Sequence, residues 1–204
     1  MKEVFLNKSI NLLTKQYNYD SDTLDRIKYG LEIIYISITK ISVILILSLI
    51  FKTFKETLLL IVFVNFIRTF AFGLHAKKSW HCYISSIISF ILLPYLFINI
   101  KFNIIQKIII SFLTLLSMIL YAPSDTYKRP LINKKHRKKL KRNSIIVTIL
   151  YITLIFIIKS NYIVNLILLS LIIQSFLINP FIYKLFDLPY NNNKSYKKDC
   201  NMQK

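Results

Sequence analysis

Residues 145–173 read IIVTILYITLIFIIKSNYIVNLILLSLII, and this stretch decides the fold class. It holds two almost purely apolar runs, Ile145–Ile158 and Ile163–Ile173, without the regular polar interruptions of a soluble domain. Similar runs occupy 43–51, 58–66 and 87–98. With its flanks, each run reaches roughly the 17–25 residues that a helix needs to cross about 30 Å of hydrocarbon. A segment in lipid must satisfy its own backbone hydrogen bonds, so these runs predict helices.

The sequence therefore predicts an all-α, polytopic integral membrane protein with about six transmembrane helices. We place them at about 31–51, 57–74, 82–99, 104–122, 144–159 and 161–182. The chain is interpreted as a single membrane domain, 1–204. Its parts are a cytoplasmic or interfacial amphipathic segment (1–28), a six-span core (29–182) that includes a basic cytoplasmic loop (123–143), and a polar cytoplasmic tail (183–204).

The first segment is patterned as an amphipathic helix. Leu6, Ile10, Leu13 and Tyr17 recur at helical spacing on one face. Such a helix lies either on the membrane surface or against the protein's own cytoplasmic face. The segment lacks a continuous apolar stretch, so we do not expect it to be a signal peptide.

Lys and Arg residues alternate between rich and poor connections, which predicts the orientation of a multi-pass cell-membrane protein. Five precede the first span, nine lie from Lys128 to Arg142, and five follow the last span. The positive-inside rule then places both termini and the basic loop in the cytoplasm. In this layout the net charge of +19 indicates anionic lipids or an acidic partner rather than nucleic acid.

The main candidate for chemistry is residues 68–82, RTFAFGLHAKKSWHC, at the cytoplasmic end of the second and third spans. A thiol becomes a nucleophile as the thiolate, and a nearby imidazole can take its proton. His75 and Cys82 can therefore form a minimal cysteine-protease dyad. The second cysteine, Cys200, lies in the polar tail, and two cysteines give no disulfide framework.

The spacing of the dyad constrains its backbone. On one straight helix, seven residues correspond to a rise of about 10.5 Å, whereas proton transfer needs about 3 Å. We therefore predict a break before Cys82, with Gly73 as the breaker, so that Cys82 begins the third span. There the positive end of the helix dipole favours the thiolate.

Other interpretations of these residues remain open. Cys82 can be a small buried apolar residue and His75 a polar cap. His81 is a rival base that points about 100° away from its neighbour on a helix. His75, His81 and Cys82 can also be read as three metal ligands, although no acidic or further cysteine neighbours support them, and we expect no metal or cofactor.

Several charged or polar residues are candidates for supporting roles. Glu32, in the first span, can orient the imidazole or can be a lysine-paired side chain. Ser79 is a weak candidate for an oxyanion donor. Arg68 can hold the turn, bind a peptide carboxylate, or be an interfacial charge. The lysines of the basic loop are either a topology signal or a binding surface for an acidic peptide: Lys134, Lys135, Lys138, Lys139 and Lys141.

Three blocks of this sequence resemble the accessory gene regulator B (AgrB-like) family, whose members are membrane cysteine endopeptidases that mature quorum-sensing peptides. They are Tyr29-Gly30-Leu31-Glu32, the segment from Arg68 through Gly73-Leu-His75 to Cys82, and Tyr121-Ala122-Pro123 followed by the basic run. The blocks occur in the family's order and cover most of the chain. Phe72 stands where members often carry a second small residue.

The resemblance implies a reaction and a partner. Cys82, with His75 as base, would cleave a short AgrD-like precursor peptide that has an acidic C-terminal segment, leaving a thioester on Cys82. A side chain of the peptide would then close a thiolactone or lactone ring, giving an autoinducing peptide. The family precedent also implies a homodimer.

Two other functional classes compete with this interpretation. The first is a non-enzymatic peptide exporter or permease-like component, which would usually show ionisable residues at mid-span or paired broken helices. The second is a structural or immunity-type membrane partner, in which the His–Cys pair is incidental. Substitution of Cys82 separates the enzyme from both.

Overall fold

The computed structural model describes residues 2–14, 20–74, 79–125, 131 and 133–190. All the regular elements assigned in these ranges are helices. The all-α prediction is confirmed. Contacts divide the chain into two compact units, Met1–Leu47 and Ser48–Lys204. The assignment of 1–204 to a single membrane domain stays a prediction.

The first unit contains α1 (Lys2–Thr14) and most of α2 (Ser21–Ile50). On α1 the predicted apolar face is present in part, since Leu6 is buried and Ile10 is half-buried. The side chain of Leu13 and all of Tyr17 lie outside the described residues. The location of α1 at the membrane surface stays a prediction.

The first predicted span begins too late in the sequence. We expected it from about residue 31, but α2 begins at Ser21 and has 30 residues. Hydropathy detects the part of a helix that matches lipid, and a helix can continue beyond the bilayer through polar residues. About ten residues of α2 therefore precede the predicted apolar segment.

The second unit carries the remaining helices. They are α3 (Phe54–Ala71), α4 (Ser79–Ile87), a π-helical segment (Ile88–Leu92), α5 (Leu93–Phe97), α6 (Ile104–Tyr121), α7 (Lys134–Ile157), α8 (Asn161–Ile178) and α9 (Pro180–Leu185). All six predicted spans fall on these helices or on α2. The hydroxyl of Thr57 on α3 donates to the carbonyl of Phe90 in the π-helical segment, at 2.7 Å.

Helix α8 is the centre of the second unit. Val164 to Leu171 are eight consecutive buried residues, including Asn165 and Ser170, so no side of this stretch faces outward. A helix that is apolar and buried on all sides lies inside a bundle. Helices α3, α6 and α7 pack around it.

Within the described ranges, four helices are long and apolar enough to cross a bilayer: α2 from Thr23, α6, α7 and α8. Helix α3 has the length but carries three charged residues, Lys55, Glu56 and Arg68. The third predicted span falls on the continuous helical run from Ser79 to Phe97, which rises about 28 Å. The protein is therefore an all-α polytopic membrane protein.

Two predicted boundaries in this unit are wrong. The basic segment is not a loop throughout 123–143, because α7 is helical from Lys134. Lys and Arg are good helix formers, and Asn133 caps the helix by accepting from the amides of Lys135 and His136. The last span ends at Ile178 rather than 182, since Asn179 caps a new helix that begins at Pro180.

Candidate active site

The helix that precedes the predicted dyad ends at Ala71, and the next two residues leave helical geometry. Phe72 has φ 57° and ψ −142°, and Gly73 has φ 138°. A Cβ atom at residue 73 would lie 3.1 Å from the carbonyl oxygen of Leu177 and 3.2 Å from its Cβ. The backbone angle favours glycine, and the close approach leaves little room for a side chain. The predicted helix break at Gly73 is confirmed.

Phe72 occupies a conformation that residues with a Cβ atom rarely adopt. Its φ of 57° with ψ of −142° lies outside the usual regions and costs roughly 1–3 kcal/mol. A glycine, which has no Cβ atom, would adopt it with less strain. Surrounding contacts must therefore hold the turn at Phe72.

Backbone hydrogen bonds tie this turn to two other parts of the chain. The Gly73 amide donates to the Ser124 carbonyl at 3.1 Å, and the Ser124 amide donates to the Ala71 carbonyl at 3.0 Å. The Leu74 amide donates to the Leu177 carbonyl at 2.9 Å. The connection after α6 and the last turn of α8 thus both hold the end of α3. We call residues 72–74 the anchored turn.

Two side chains complete the anchored turn. Arg68, in the last turn of α3, donates from Nη2 to the Leu74 carbonyl at 3.0 Å. Gln174 of α8 donates from Nε2 to the Phe72 carbonyl at 2.6 Å. Of the roles considered for Arg68, holding the turn is the one that this contact displays. The turn is therefore held by α3, by α8 and by the connection after α6.

Cys82 is the fourth residue of α4, which begins at Ser79. Its backbone lies in the first turn, where amide N–H groups have no partner within the helix and the dipole is positive. The placement of Cys82 at the start of the third span, expected from the sequence, is confirmed for the backbone.

Several candidate residues fall outside the part of the chain that the structure describes. They are His75, which lies between 74 and 79, and the side chains of Ser79, His81 and Cys82. The dyad, the rival base and the three-residue metal set therefore stay predictions. Within the described ranges, no three His, Cys, Asp or Glu side chains gather as a metal ion requires.

Glu32, the predicted orienting carboxylate, lies on α2 in the first unit. Its side chain is half-buried and engaged in an interaction. Its role beside His75 stays a prediction.

Asp125 is the acidic residue that organises the start of the basic helix. Its side chain is 1% exposed, and Oδ2 accepts from the Leu131 amide at 3.3 Å and from Arg137 Nη1 at 3.4 Å. The hydroxyl of Tyr183 donates to the Asp125 carbonyl at 3.4 Å. Burial raises the pKa of Tyr183 to about 12, so this donor stays protonated at any physiological pH.

The predicted peptide-binding lysines lie on the helical start of α7. Lys141 is half-buried, and the other four are exposed: Lys134, Lys135, Lys138 and Lys139. Leu140 is buried, and Arg137 is turned toward Asp125. The cations are therefore displayed by a helix whose position is fixed through Asp125.

Sequence reasoning missed Gln174 and gave Asp125 no role. Gln174 was detectable as a polar residue in an otherwise apolar span, where such groups are costly unless paired. Asp125 stands three residues before Lys128, the first of the cations, and close to Pro123. Gln174 acts on Phe72 over 102 residues, and Asp125 acts on Arg137 over 12, and local patterns reveal neither contact.

Comparisons with known proteins agree on one family. The sequence profile described as accessory gene regulator B matches residues 6–178. A Listeria innocua protein described as AgrB-like is 34% identical over 152 residues, 74% of this chain and 71% of the relative. The accessory gene regulator protein B of Staphylococcus lugdunensis is 33% identical over 140 residues, 69% of this chain and 74% of the relative. No solved structure matches the chain.

Proposed function

Because the chain belongs to the accessory gene regulator B family, we propose that it is a membrane cysteine endopeptidase that matures a short quorum-sensing precursor peptide. The observation that carries the proposal is the anchored turn. It ends α3 immediately before His75 and is followed by a new helix with Cys82 in its first turn. Because the helix is broken between them, the two residues are not subject to the separation of about 10.5 Å that a straight helix would impose.

In the first step the imidazole of His75 takes the proton of the Cys82 thiol. The thiolate attacks the carbonyl carbon of one peptide bond of the precursor, and a C–S bond forms. Collapse of the tetrahedral intermediate breaks the C–N bond, and the imidazolium gives its proton to the leaving amine. The N-terminal part of the peptide remains on Cys82 as a thioester, and the C-terminal segment departs.

In the second step a thiol or hydroxyl within the bound peptide attacks the thioester carbonyl. The new S–C or O–C bond closes a ring, and Cys82 leaves as the thiolate. The nucleophile's proton passes to His75 and then back to the Cys82 sulfur. The thioester retains acyl-transfer potential, and exclusion of water near the membrane edge limits hydrolysis.

Two further residues support this chemistry. Arg68 holds the carbonyl of Leu74, the residue before His75, at 3.0 Å. By this contact it fixes the direction in which the chain leaves the anchored turn. A guanidinium has five N–H donors, so Arg68 is also suited to a peptide carboxylate. Glu32 is proposed to orient the imidazole.

The exposed cations of α7 are proposed to bind the acidic C-terminal segment of the precursor. Seven of the nine residues 134–142 are Lys or Arg. Such a surface steers an acidic peptide and raises its association rate. The same residues are suited to anionic lipid headgroups. We place this surface, the dyad and both termini on the cytoplasmic side, and propose that the protein acts as a homodimer.

Processing of a precursor in liposomes tests the proposal against an exporter and a structural partner. We expect Cys82→Ala to abolish cleavage of the peptide by mass spectrometry, because the nucleophile is lost. Cys200→Ala is the matched control and should cleave at the wild-type rate. Cleavage by Cys82→Ala, or its loss in Cys200→Ala, would contradict the dyad.

A further inference from the structure

The short helix α9 follows the last membrane span directly and exposes large apolar side chains. Helix α8 ends at Ile178, Asn179 is extended with φ −71° and ψ 127°, and α9 begins at Pro180. On α9, Phe181 is 69% exposed and Leu185 is 66% exposed. This apolar exposure is not that of the polar tail expected from residue 183 onward.

The rotation of α9 about its own axis is fixed by Tyr183. This side chain is 1% exposed, its hydroxyl donates to the Asp125 carbonyl at 3.4 Å, and its ring meets that of Tyr190 edge-on with centroids 5.2 Å apart. At about 100° per residue, Phe181 and Leu185 lie about 40° apart and roughly opposite Tyr183. Because Tyr183 is held inward, Phe181 and Leu185 form an outward face, which we call the α9 apolar face.

The depth of the α9 apolar face follows from its distance to the span. The 18 residues of α8 rise about 27 Å, nearly the thickness of the hydrocarbon core, so Ile178 lies close to the core boundary. Three residues separate Ile178 from Phe181, a reach of at most about 10 Å. The headgroup region itself extends about 5–8 Å beyond the core. The α9 apolar face therefore lies at the level where headgroups meet acyl chains.

The surface that faces lipid on α8 continues onto α9. Phe176, in the last turn of α8, is 59% exposed, and it precedes Phe181 by five residues. Lys184 is exposed and lies about 60° from Phe181 around the helix. Aromatic and aliphatic residues on one face, with a basic residue at its edge, are typical of helices that lie in the membrane interface.

The size of the face favours a bilayer over a second protein. Its outward side chains are Phe181 and Leu185, with Phe186 beside them at 45% exposed. Large apolar side chains bury at most about 250 Å² each, so the three together remain below the roughly 800 Å² that each partner contributes to a stable protein interface. A lipid surface needs no such minimum area, because the neighbouring span already holds the helix there.

We propose that α9 is an interfacial anchor whose apolar face inserts at the boundary between headgroups and acyl chains, with the Lys184 ammonium among anionic headgroups. Residues 180–185 thus belong to the membrane-bound part of the protein and not to a tail in water. Through Tyr183, the anchor is joined to the Asp125 carbonyl and so to the connection after α6. The inference does not depend on the proposed peptidase reaction.

Fluorescence quenching in lipid measures the depth of the α9 apolar face. Leu185→Cys is introduced into the full chain in the Cys82→Ala, Cys200→Ala background and labelled with an NBD fluorophore. The protein is placed in phosphatidylcholine–phosphatidylglycerol nanodiscs large enough for two copies. The discs carry nitroxides at the headgroup, in the upper acyl chain or at the chain end. We expect the upper-chain nitroxide to quench most, by about half, and iodide in solution to quench little.

Two further variants control the measurement. Phe181→Cys gives an independent label on the same face and should show the same order of quenching. Lys138→Cys, on the exposed part of α7, is the matched aqueous control, which iodide should quench and acyl-chain nitroxides should not.

Each quenching pattern decides the proposal. Upper-chain quenching with protection from iodide, at both 181 and 185, supports the anchor. Quenching by iodide alone places α9 in water and overturns it. Protection from iodide and from all nitroxides shows that protein, such as a second copy, covers the face, and this overturns it too. Strongest quenching by the chain-end nitroxide would make α9 a continuation of the span, which contradicts an interfacial position.

Discussion

The two glycines of this chain differ in the space that is available for an added side chain. Gly73, at φ 138°, has Leu177 backbone and side-chain atoms where a Cβ would lie, whereas a Cβ at Gly30 would meet nothing within 4 Å. We expect Gly73→Ala to destabilise the protein by roughly 1–3 kcal/mol and to reduce precursor cleavage at least tenfold. Thermal unfolding in detergent and cleavage rates measure the two effects.

Gly30→Ala is the matched control for that substitution. Residue 30 lies within α2, and alanine is favoured over glycine in a helix by about 1 kcal/mol. Its stability should be equal or higher, with unchanged cleavage. Equal behaviour of the two variants would show that the anchored turn is not needed for activity.

At the residue scale, the sequence predicts a role where the residue type alone indicates it. Gly73 was identified because few residues tolerate a helix break of the required kind. Gln174 and Asp125 were not, because their roles depend on partners that only the fold brings near: Phe72 for Gln174, and Leu131 with Arg137 for Asp125.

At the scale of elements, Asp125 connects the start of α7 to the rest of the second unit. Asp125→Asn replaces a buried carboxylate that accepts from Arg137 and from the Leu131 amide. We expect a loss of about 1–3 kcal/mol and faster hydrogen exchange in the first turns of α7. Exchange mass spectrometry measures this locally.

A double-mutant cycle with Arg137→Gln isolates the pair in that experiment. If Asp125 acts through Arg137, the double variant should lose less than the sum of the single losses. Lys138→Gln, on the exposed side of the same helix, should be silent. Unchanged exchange at the start of α7 in Asp125→Asn would contradict the connection.

The exposed cations of α7 are predicted to act on binding rather than on chemistry. Neutralising Lys134, Lys135, Lys138, Lys139 and Lys141 together should raise KM for an acidic precursor and weaken its dependence on salt. The rate of acyl-enzyme formation at saturating peptide should be retained. Lys101 and Lys159, in connections predicted to face outward, are suitable controls. If neutralising the α7 lysines instead inverts the topology of the protein, these lysines act only as an orientation signal.

Hydropathy predicts which segments are helical but not where each helix begins. Each predicted span falls on a helix, because an apolar run in lipid has no alternative to a helix. The starts of α2 and α7 were placed too late in the sequence, since polar residues continue a helix outside the bilayer without changing its geometry.

At the scale of the whole molecule, the ends of α3, α6 and α8 meet at one end of the second unit. Backbone hydrogen bonds join the turn after α3, the connection after α6 and the last turn of α8. The charge pattern assigns the segments that follow these three helices to one side of the membrane. The cytoplasmic identity of that side is a prediction that labelling can test.

Cysteine labelling measures the orientation directly. In Cys82→Ala the remaining cysteine is Cys200, because the chain has two. With both termini in the cytoplasm, a membrane-impermeant maleimide should label Cys200 only after cells are opened. A single cysteine introduced at Lys101 in the Cys82→Ala, Cys200→Ala background should react in intact cells. Reversed labelling would contradict the assigned orientation.

The central claim is that Cys82 forms a thioester with the precursor. The most direct measurement is intact mass of the purified protein incubated with the precursor, beside Cys82→Ala. We predict an added mass equal to the N-terminal part of the peptide, removed by hydroxylamine and absent from the variant. An unmodified wild-type protein with an uncleaved peptide, or the same adduct on Cys82→Ala, would contradict the account.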